Sequence, residues 1–269
     1  MQQASDFLEE CQDLETLLRS VPEADFATPT GFKGWTFDDI LRHLHVWNCA
    51  ADLSLTKPET FKGWIGRALK SITSEGFSAF ETSEVNGLAG SPLLDTWSSF
   101  ASAIARRFGE ADPAKRVAWA GPDMSVRSSI TARQMETWAH GQAIYDALGQ
   151  TRRNADRIKN LVFLGHNTYR FTFQNRGLPP PEPQPQLVLT APSGATWALG
   201  EEAEGESITG PAAAFCQVAT QTRNVADTPL KVTGPNAHRW MEIAQCFAGP
   251  PVDPPAPGTR GINKEERVG

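Results

Sequence analysis

Glu136 and His140 lie four residues apart in the run Arg133-Gln-Met-Glu-Thr-Trp-Ala-His140, and His43 stands far upstream in Trp35-Thr-Phe-Asp-Asp-Ile-Leu-Arg-His43. A carboxylate and an imidazole at i and i+4 project from the same side of a helix, where both can reach one divalent cation. His43 would complete a set of two imidazoles and one carboxylate. Three protein ligands leave a coordination position for water or substrate, which separates a catalytic metal site from a closed structural one.

The elements carrying these side chains must then turn them toward each other. On a helical wheel of about 100° per residue, His140 falls about 40° from Glu136, and Ala132, Ala143, Ile144 and Ala147 all lie within about 80°. Gln142 and Asp146 fall elsewhere. In a helical bundle this face of small and apolar residues is expected to point inward, where a lone Glu is costly to bury. A metal ion, a buried Arg or a protonated carboxyl would each compensate it. On the upstream helix the apolar stripe centres between Leu44 and Trp47, which puts His43 about 80° and His45 about 120° from the centre. His43 is therefore expected inward and His45 exposed. Spacing alone also admits an ordinary surface pair of Glu136 and His140, with His43 capping a neighbouring helix.

Periodicity supplies the surrounding elements. Residues 5–21 place Phe7, Leu8, Cys11, Leu14, Leu17 and Leu18 at helical spacing, with Ser5 as the expected N-cap and Pro22 ending the run. Thr36 opens the second helix, with Asp39 at the capping-box position. Phe61–Leu69 reads as a short helix followed by a loop bearing Gly and Ser. Ser91-Pro92 starts a helix running to Phe108, and the helix with Glu136 and His140 ends at Gly149. Four long helices predict a bundle.

Beyond Asp156 the pattern changes to one helix reaching Phe173, a proline-rich connector over 176–185, and a hairpin of 186–190 with 196–199 around Pro192-Ser-Gly194. Gly210-Pro211 is expected to start a helix that ends at Arg223. Leu230–Thr233 reads as a strand, and Asn236 as the cap of a last helix. The fold class is thus α+β, with a helical metal-binding domain over 1–154, a smaller α+β domain over 155–251, and a proline-rich tail over 252–269 expected to be disordered.

Composition limits the partners. A net charge of −6 over 269 residues, without clustered Lys and Arg, argues against nucleic acid and anionic membranes. No stretch approaches the roughly 18 apolar residues of a membrane span, and no leader precedes the first helix, so a cytoplasmic protein is expected. The four cysteines form no C-x-x-C pair and read as reduced, mostly buried thiols. His166 and His238 have no carboxylate or Cys at ligand spacing. Trp138 and Tyr145 lie on the far side of their helix from Glu136 and read as packing residues. Neither a nucleophile elbow nor a nucleotide fingerprint is present.

Gly34–Leu44 together with Met135–His140 resembles the N-terminal domain of the mycothiol-dependent maleylpyruvate isomerases, within the DinB-like four-helix-bundle superfamily. Leu189–Gly194, Ile208–Ala212 and Trp240–Pro251 resemble a branch of that family known only as metal-binding proteins without an assigned activity. The resemblance implies a metal triad of His43, Glu136 and His140, holding zinc most often and nickel as an alternative. It also implies a low-molecular-weight thiol as cosubstrate. Arg223 matches the position of an Arg that meets the substrate in the isomerases. The function so implied is a metal-dependent enzyme, a monomer or homodimer, that activates a thiol for transfer to, or isomerisation of, a small electrophilic molecule. Metal-assisted hydrolysis by water, or a small-ligand-binding protein with a structural metal, stand as alternatives.

Overall fold

The computed structural model describes residues 1–261. The chain divides into two compact units, Met1–Ala147 and Leu148 onward. In the first, α1 (Gln2–Arg19), α2 (Phe37–Thr56), α5 (Gly90–Glu110) and α6 (Val126–Ala147) are the long helices, and α1 and α2 each pack against both α5 and α6. Their apolar stripes explain the packing: Phe7, Leu14 and Leu18 of α1, Ile40, Leu41 and Leu44 of α2, and Leu93, Trp97, Ile104 and Phe108 of α5 are all buried. Helix α1 begins before the expected Ser5 cap, and the Met1 ammonium donates to the Gly109 carbonyl at 2.9 Å.

The expected short helix and loop after Thr56 are in fact two helices, α3 (Pro58–Glu75) and α4 (Phe77–Glu84). Gly76, at φ 89°, separates them. Ala68 and Phe80 pack with Val46 of α2, and Trp64, Ile65 and Ile72 close over them, so this cluster holds α3 and α4 against α2. A two-residue pair, β1 (Arg116–Val117) with β2 (Met124–Ser125), precedes α6. It has no counterpart in the sequence pattern.

In the second unit the expected long helix is broken at Thr168 into α7 (Lys159–Asn167) and α8 (Tyr169–Gln174). A four-stranded sheet follows, built from β3 (Gln186–Thr190), β4 (Thr196–Leu199), β5 (Ser207–Pro211) and β6 (Lys231–Thr233) in the order β4-β3-β5-β6. The expected hairpin pairs Thr190 with Thr196. Gly210-Pro211, expected to start a helix, ends β5, which runs parallel to β3 and pairs Ile208 with Leu187. Helix α9 (Ala212–Ala219) therefore starts later and stops before Arg223.

The last helix, α10 (Pro235–Ile243), is capped by Glu206 and not by Asn236. The Glu206 carboxylate accepts the backbone N–H groups of Asn236 and Ala237 at 3.1 and 2.9 Å. Gly234, at φ 91°, is the one residue that fits beside it, since a Cβ there would lie 2.5 Å from that carboxylate. Tyr169, Phe215 and Trp240 meet edge to face in this unit's core.

The stretch after Pro251 was expected to lack the apolar groups needed for packing, yet through Gly261 it is tied down by hydrogen bonds. Gln221 Nε2 donates to the Val252 carbonyl at 2.8 Å, Asn224 Nδ2 to the Pro255 carbonyl at 2.9 Å, and Gly258 N–H to Asp227. Residues 262–269 of the expected tail lie outside the described residues. Among the described residues no helix is long and apolar enough to cross a membrane. Of the four cysteines, Cys49 alone is not buried.

Candidate metal centre

Helix α2 starts where its capping box fixes it. The Thr36 hydroxyl accepts the Asp39 N–H at 3.1 Å, and the Asp39 carboxylate accepts the Thr36 N–H at 2.9 Å. Two turns further on, His43 faces α6, and the ligand atoms of His43, Glu136 and His140 all lie within 4.8 Å of one another. Glu136 Oε2 is 3.4 Å from His43 Nε2 and 3.1 Å from His140 Nε2. Tetrahedral zinc with bonds of about 2.0–2.1 Å to nitrogen would set neighbouring ligand atoms about 3.3 Å apart. The two spacings from Glu136 Oε2 already match and the whole set lies within 4.8 Å, so an ion fits with side-chain adjustments.

The Glu136 face of α6 is not the innermost one. Ala132, Ala139, Ala143 and Ala147 are half-buried, and Glu136 keeps 21% of its side chain exposed, whereas Ile130, Gln134, Thr137, Trp138 and Gly141 on the opposite side are buried. Gln142 and Asp146 are buried as well, and Gln142 Nε2 donates to the Asp146 carboxylate at 3.0 Å. The small residues beside Glu136 therefore leave room at the site and are not its core packing.

Two partners complete the surroundings, of which only Arg133, at i−3 from Glu136, carries a spacing signal in the sequence. Glu81, on α4, is buried and accepts from His43 Nδ1 at 2.7 Å and from Trp47 Nε1 at 2.9 Å. Arg133, one turn before Glu136, lies 3.6 Å from Glu136 Oε1 and covers the Trp119 ring at 5.6 Å. The two oxygens of Glu136 thus divide their work: Oε1 faces the guanidinium and Oε2 the histidines.

Charge follows geometry. Burial resists protonation of His43, but Glu136 and Glu81 outweigh it and lift its pKa to about 9. Burial and the neighbouring His43 charge keep His140 below its usual value. Burial alone would raise Glu136, but hydrogen bonds from His140 and His43 and the Arg133 charge hold it well below the usual carboxylate range. Without a metal, His43 is an imidazolium between two carboxylates and His140 is neutral.

Aromatic rings flank the histidines. Trp35 stacks on His140 with planes 9° apart and centroids 5.6 Å apart, and Phe32 meets the same ring edge-on at 4.9 Å. Both come from a tight turn in which Lys33 and Gly34 adopt φ 53° and 70°, and Trp35 N–H closes onto the Phe32 carbonyl. Phe77 of α4 stands 6.3 Å from His43 and is largely exposed.

His45 is partly buried, not exposed as its wheel position predicts. Its ring meets Phe100 and Cys49, and burial lowers its pKa. Arg223 lies outside the ligand trio, in the second unit. It follows the turn after α9, is buried, and donates from Nη1 to the Thr222 carbonyl at 2.8 Å.

A helical unit presenting two histidines and a glutamate from α2 and α6, followed by a smaller unit with a four-stranded sheet, defines an α+β protein. The model of the mycothiol maleylpyruvate isomerase N-terminal domain matches residues 7–145, and the chain belongs to that family. An uncharacterized protein of Mycobacterium tuberculosis, known from strains CDC 1551 and H37Rv, is 34% identical over 248 residues, spanning 92% of this chain and 95% of the relative. The crystal structure of the mycothiol-dependent maleylpyruvate isomerase aligns with a TM-score of 0.53 at 17% identity, over 82% of this chain and 88% of that one. Its histidine-to-alanine mutant aligns with the same TM-score at 16% identity. At such identities the likeness is one of fold.

Proposed function

We propose that His43, Glu136 and His140 hold a divalent metal, zinc before nickel, and that the protein uses it to activate a low-molecular-weight thiol toward a small electrophilic molecule. The observation that carries this reading is the convergence of three ligand atoms from two helices at metal-ligand spacing, with the Nδ1 of His43 already engaged by Glu81. Family membership supports the thiol, because the matched family and the structural neighbours are named for mycothiol dependence. When bound, a divalent ion supplies Lewis acidity that lowers the pKa of a coordinating thiol.

The chain's own residues do the rest. Glu136 brings the negative charge that favours a cation, and His140, His43 and Arg133 together keep that carboxylate ionised. Trp35 and Phe32 fix the plane of His140 and shield it from water. The reaction assigned is addition of the thiol sulfur across an electrophilic carbon–carbon double bond, whose π pair takes up the thiol proton to give transfer, or isomerisation when rotation about the new single bond precedes expulsion of the thiol. Arg223 is the candidate partner of the substrate, on the strength of the family pattern.

Metal analysis of the purified protein tests the site. About one equivalent of zinc or nickel is expected per chain, falling to background in Glu136→Ala and His140→Ala. A wild type that takes up neither metal and is no more stable in their presence refutes the reading. Consumption of a thiol only when an electrophile is supplied then separates thiol addition from hydrolysis.

A further inference from the structure

We infer that Glu81 is the positioning residue of the metal centre: its carboxylate, with Trp47, locks the His43 ring so that Nε2 alone faces Glu136 and His140. The inference rests on the metal reading above.

An ionised carboxylate only accepts hydrogen bonds, so the 2.7 Å contact requires the proton of His43 to sit on Nδ1. Deprotonation of the ring then occurs at Nε2, the nitrogen 3.4 Å from Glu136 Oε2 and inside the ligand trio. Rotation of the ring is blocked as well. Trp47 lies one turn after His43 on α2 and donates its Nε1–H to the same Glu81 oxygen at 2.9 Å, so the acceptor is held from two directions. Trp35 and Trp47 lie against the ring at centroid distances of 5.2 and 6.2 Å.

Glu81 is also unusual in its surroundings. Only 2% of it is exposed, and among the described residues it pairs with no Lys or Arg. A carboxylate buried in this way is costly unless a cationic charge lies close. Among the described residues the His43 ring is its ion-pair partner, able to carry a proton itself or to relay the charge of a metal on its far nitrogen. Helix α4 supplies Glu81 because Phe80, the preceding residue, is anchored in the cluster with Val46 and Ala68. Carboxylate, imidazole and metal in series is a recurrent arrangement in which the outer carboxylate orients the ring and raises its basicity.

The test is a Co²⁺ titration of the full-length metal-free protein, read by visible absorption, on wild type, Glu81→Gln and Glu81→Leu. The Gln variant keeps the shape and can still accept from Nδ1, which guards against loss of the fold. Its Co²⁺ affinity is expected to fall about 10-fold, and that of the Leu variant toward about 100-fold. Imidazole ¹⁵N spectra of the metal-free proteins, taken well above pH 9 where the His43 ring keeps a single proton, provide the second readout. The Nδ1–H of His43 should be hydrogen-bonded in wild type and Glu81→Gln, and absent or mixed with the Nε2–H form in Glu81→Leu. A merely structural Glu81 would lower thermal stability while leaving Co²⁺ affinity and the tautomer unchanged, and that result overturns the inference. A wild type that binds no Co²⁺ overturns the metal reading and this inference with it. Wild-type binding with equal affinities in all three proteins overturns only the role of Glu81.

Discussion

Raising the pH should loosen the metal-free protein through His43, by an amount that follows from its surroundings. Its folded pKa is about 9 against an ordinary 6.5. Because the folded value is the higher, the stabilisation is complete below pH 6.5 and disappears as the pH rises through about 9. Between pH 7 and pH 9 the loss is about 2 kcal/mol, at 1.36 kcal/mol per pKa unit. Other groups do not mask it. His140, held low, is neutral in both states above pH 7, and Glu136 is ionised in both. The thiols of Cys11 and Cys49, pushed up by burial, remove stability only once their unfolded counterparts ionise near pH 9. The assay is urea unfolding followed by tryptophan fluorescence in a chelator, comparing wild type with His43→Asn, which keeps a donor for Glu81. The difference between the two proteins should shrink by about 2 kcal/mol from pH 7 to pH 9. A difference that does not change with pH refutes the claim that two carboxylates hold a proton on His43. Saturating zinc should abolish the trend, because a ligating imidazole is neutral.

Two further outcomes are expected. Thr36→Ala removes one half of the capping box and should cost about 1 kcal/mol of stability in urea unfolding, while Co²⁺ affinity stays within about 2-fold, since His43 sits beyond the frayed turn. Arg223→Lys should lower turnover by roughly 10- to 100-fold, the loss of a charge-assisted hydrogen bond of about 1.5–3 kcal/mol, without changing metal content. Unchanged steady-state kinetics would remove Arg223 from the substrate's partners.

Helices with long stripes were legible in the sequence, and residues that depend on distant neighbours were not. The capping box at Thr36 and Asp39 and the 3- and 4-residue spacing of α5 are local signals, and both elements stand where those signals put them. Glu81 had no such signal. Gly63 and Gly66 interrupt the apolar pattern of α3, and α4 is only eight residues long, too short for a period to show. Strand β5 ends in Gly-Pro, a helix-start signature locally, and becomes a strand through parallel pairing with β3. On α6 a wheel equating small apolar residues with the core misplaced the buried side, because those alanines border the site. The stretch after Pro251 packs through side chains meeting backbone carbonyls, a kind of order that hydrophobic content does not register.

His43 and Glu136 are 93 residues apart in the chain, so no fragment that stops short of α6 contains the centre. During synthesis α1 to α5 must wait for α6 to leave the ribosome before the three side chains can meet, so uptake of the proposed metal would be a late event that reports a finished bundle. Conversely, any excursion that parts α2 from α6 would release the ion before the rest of the unit comes undone. Metal supply would then set how long the folded chain survives, by mass action on the closed form alone.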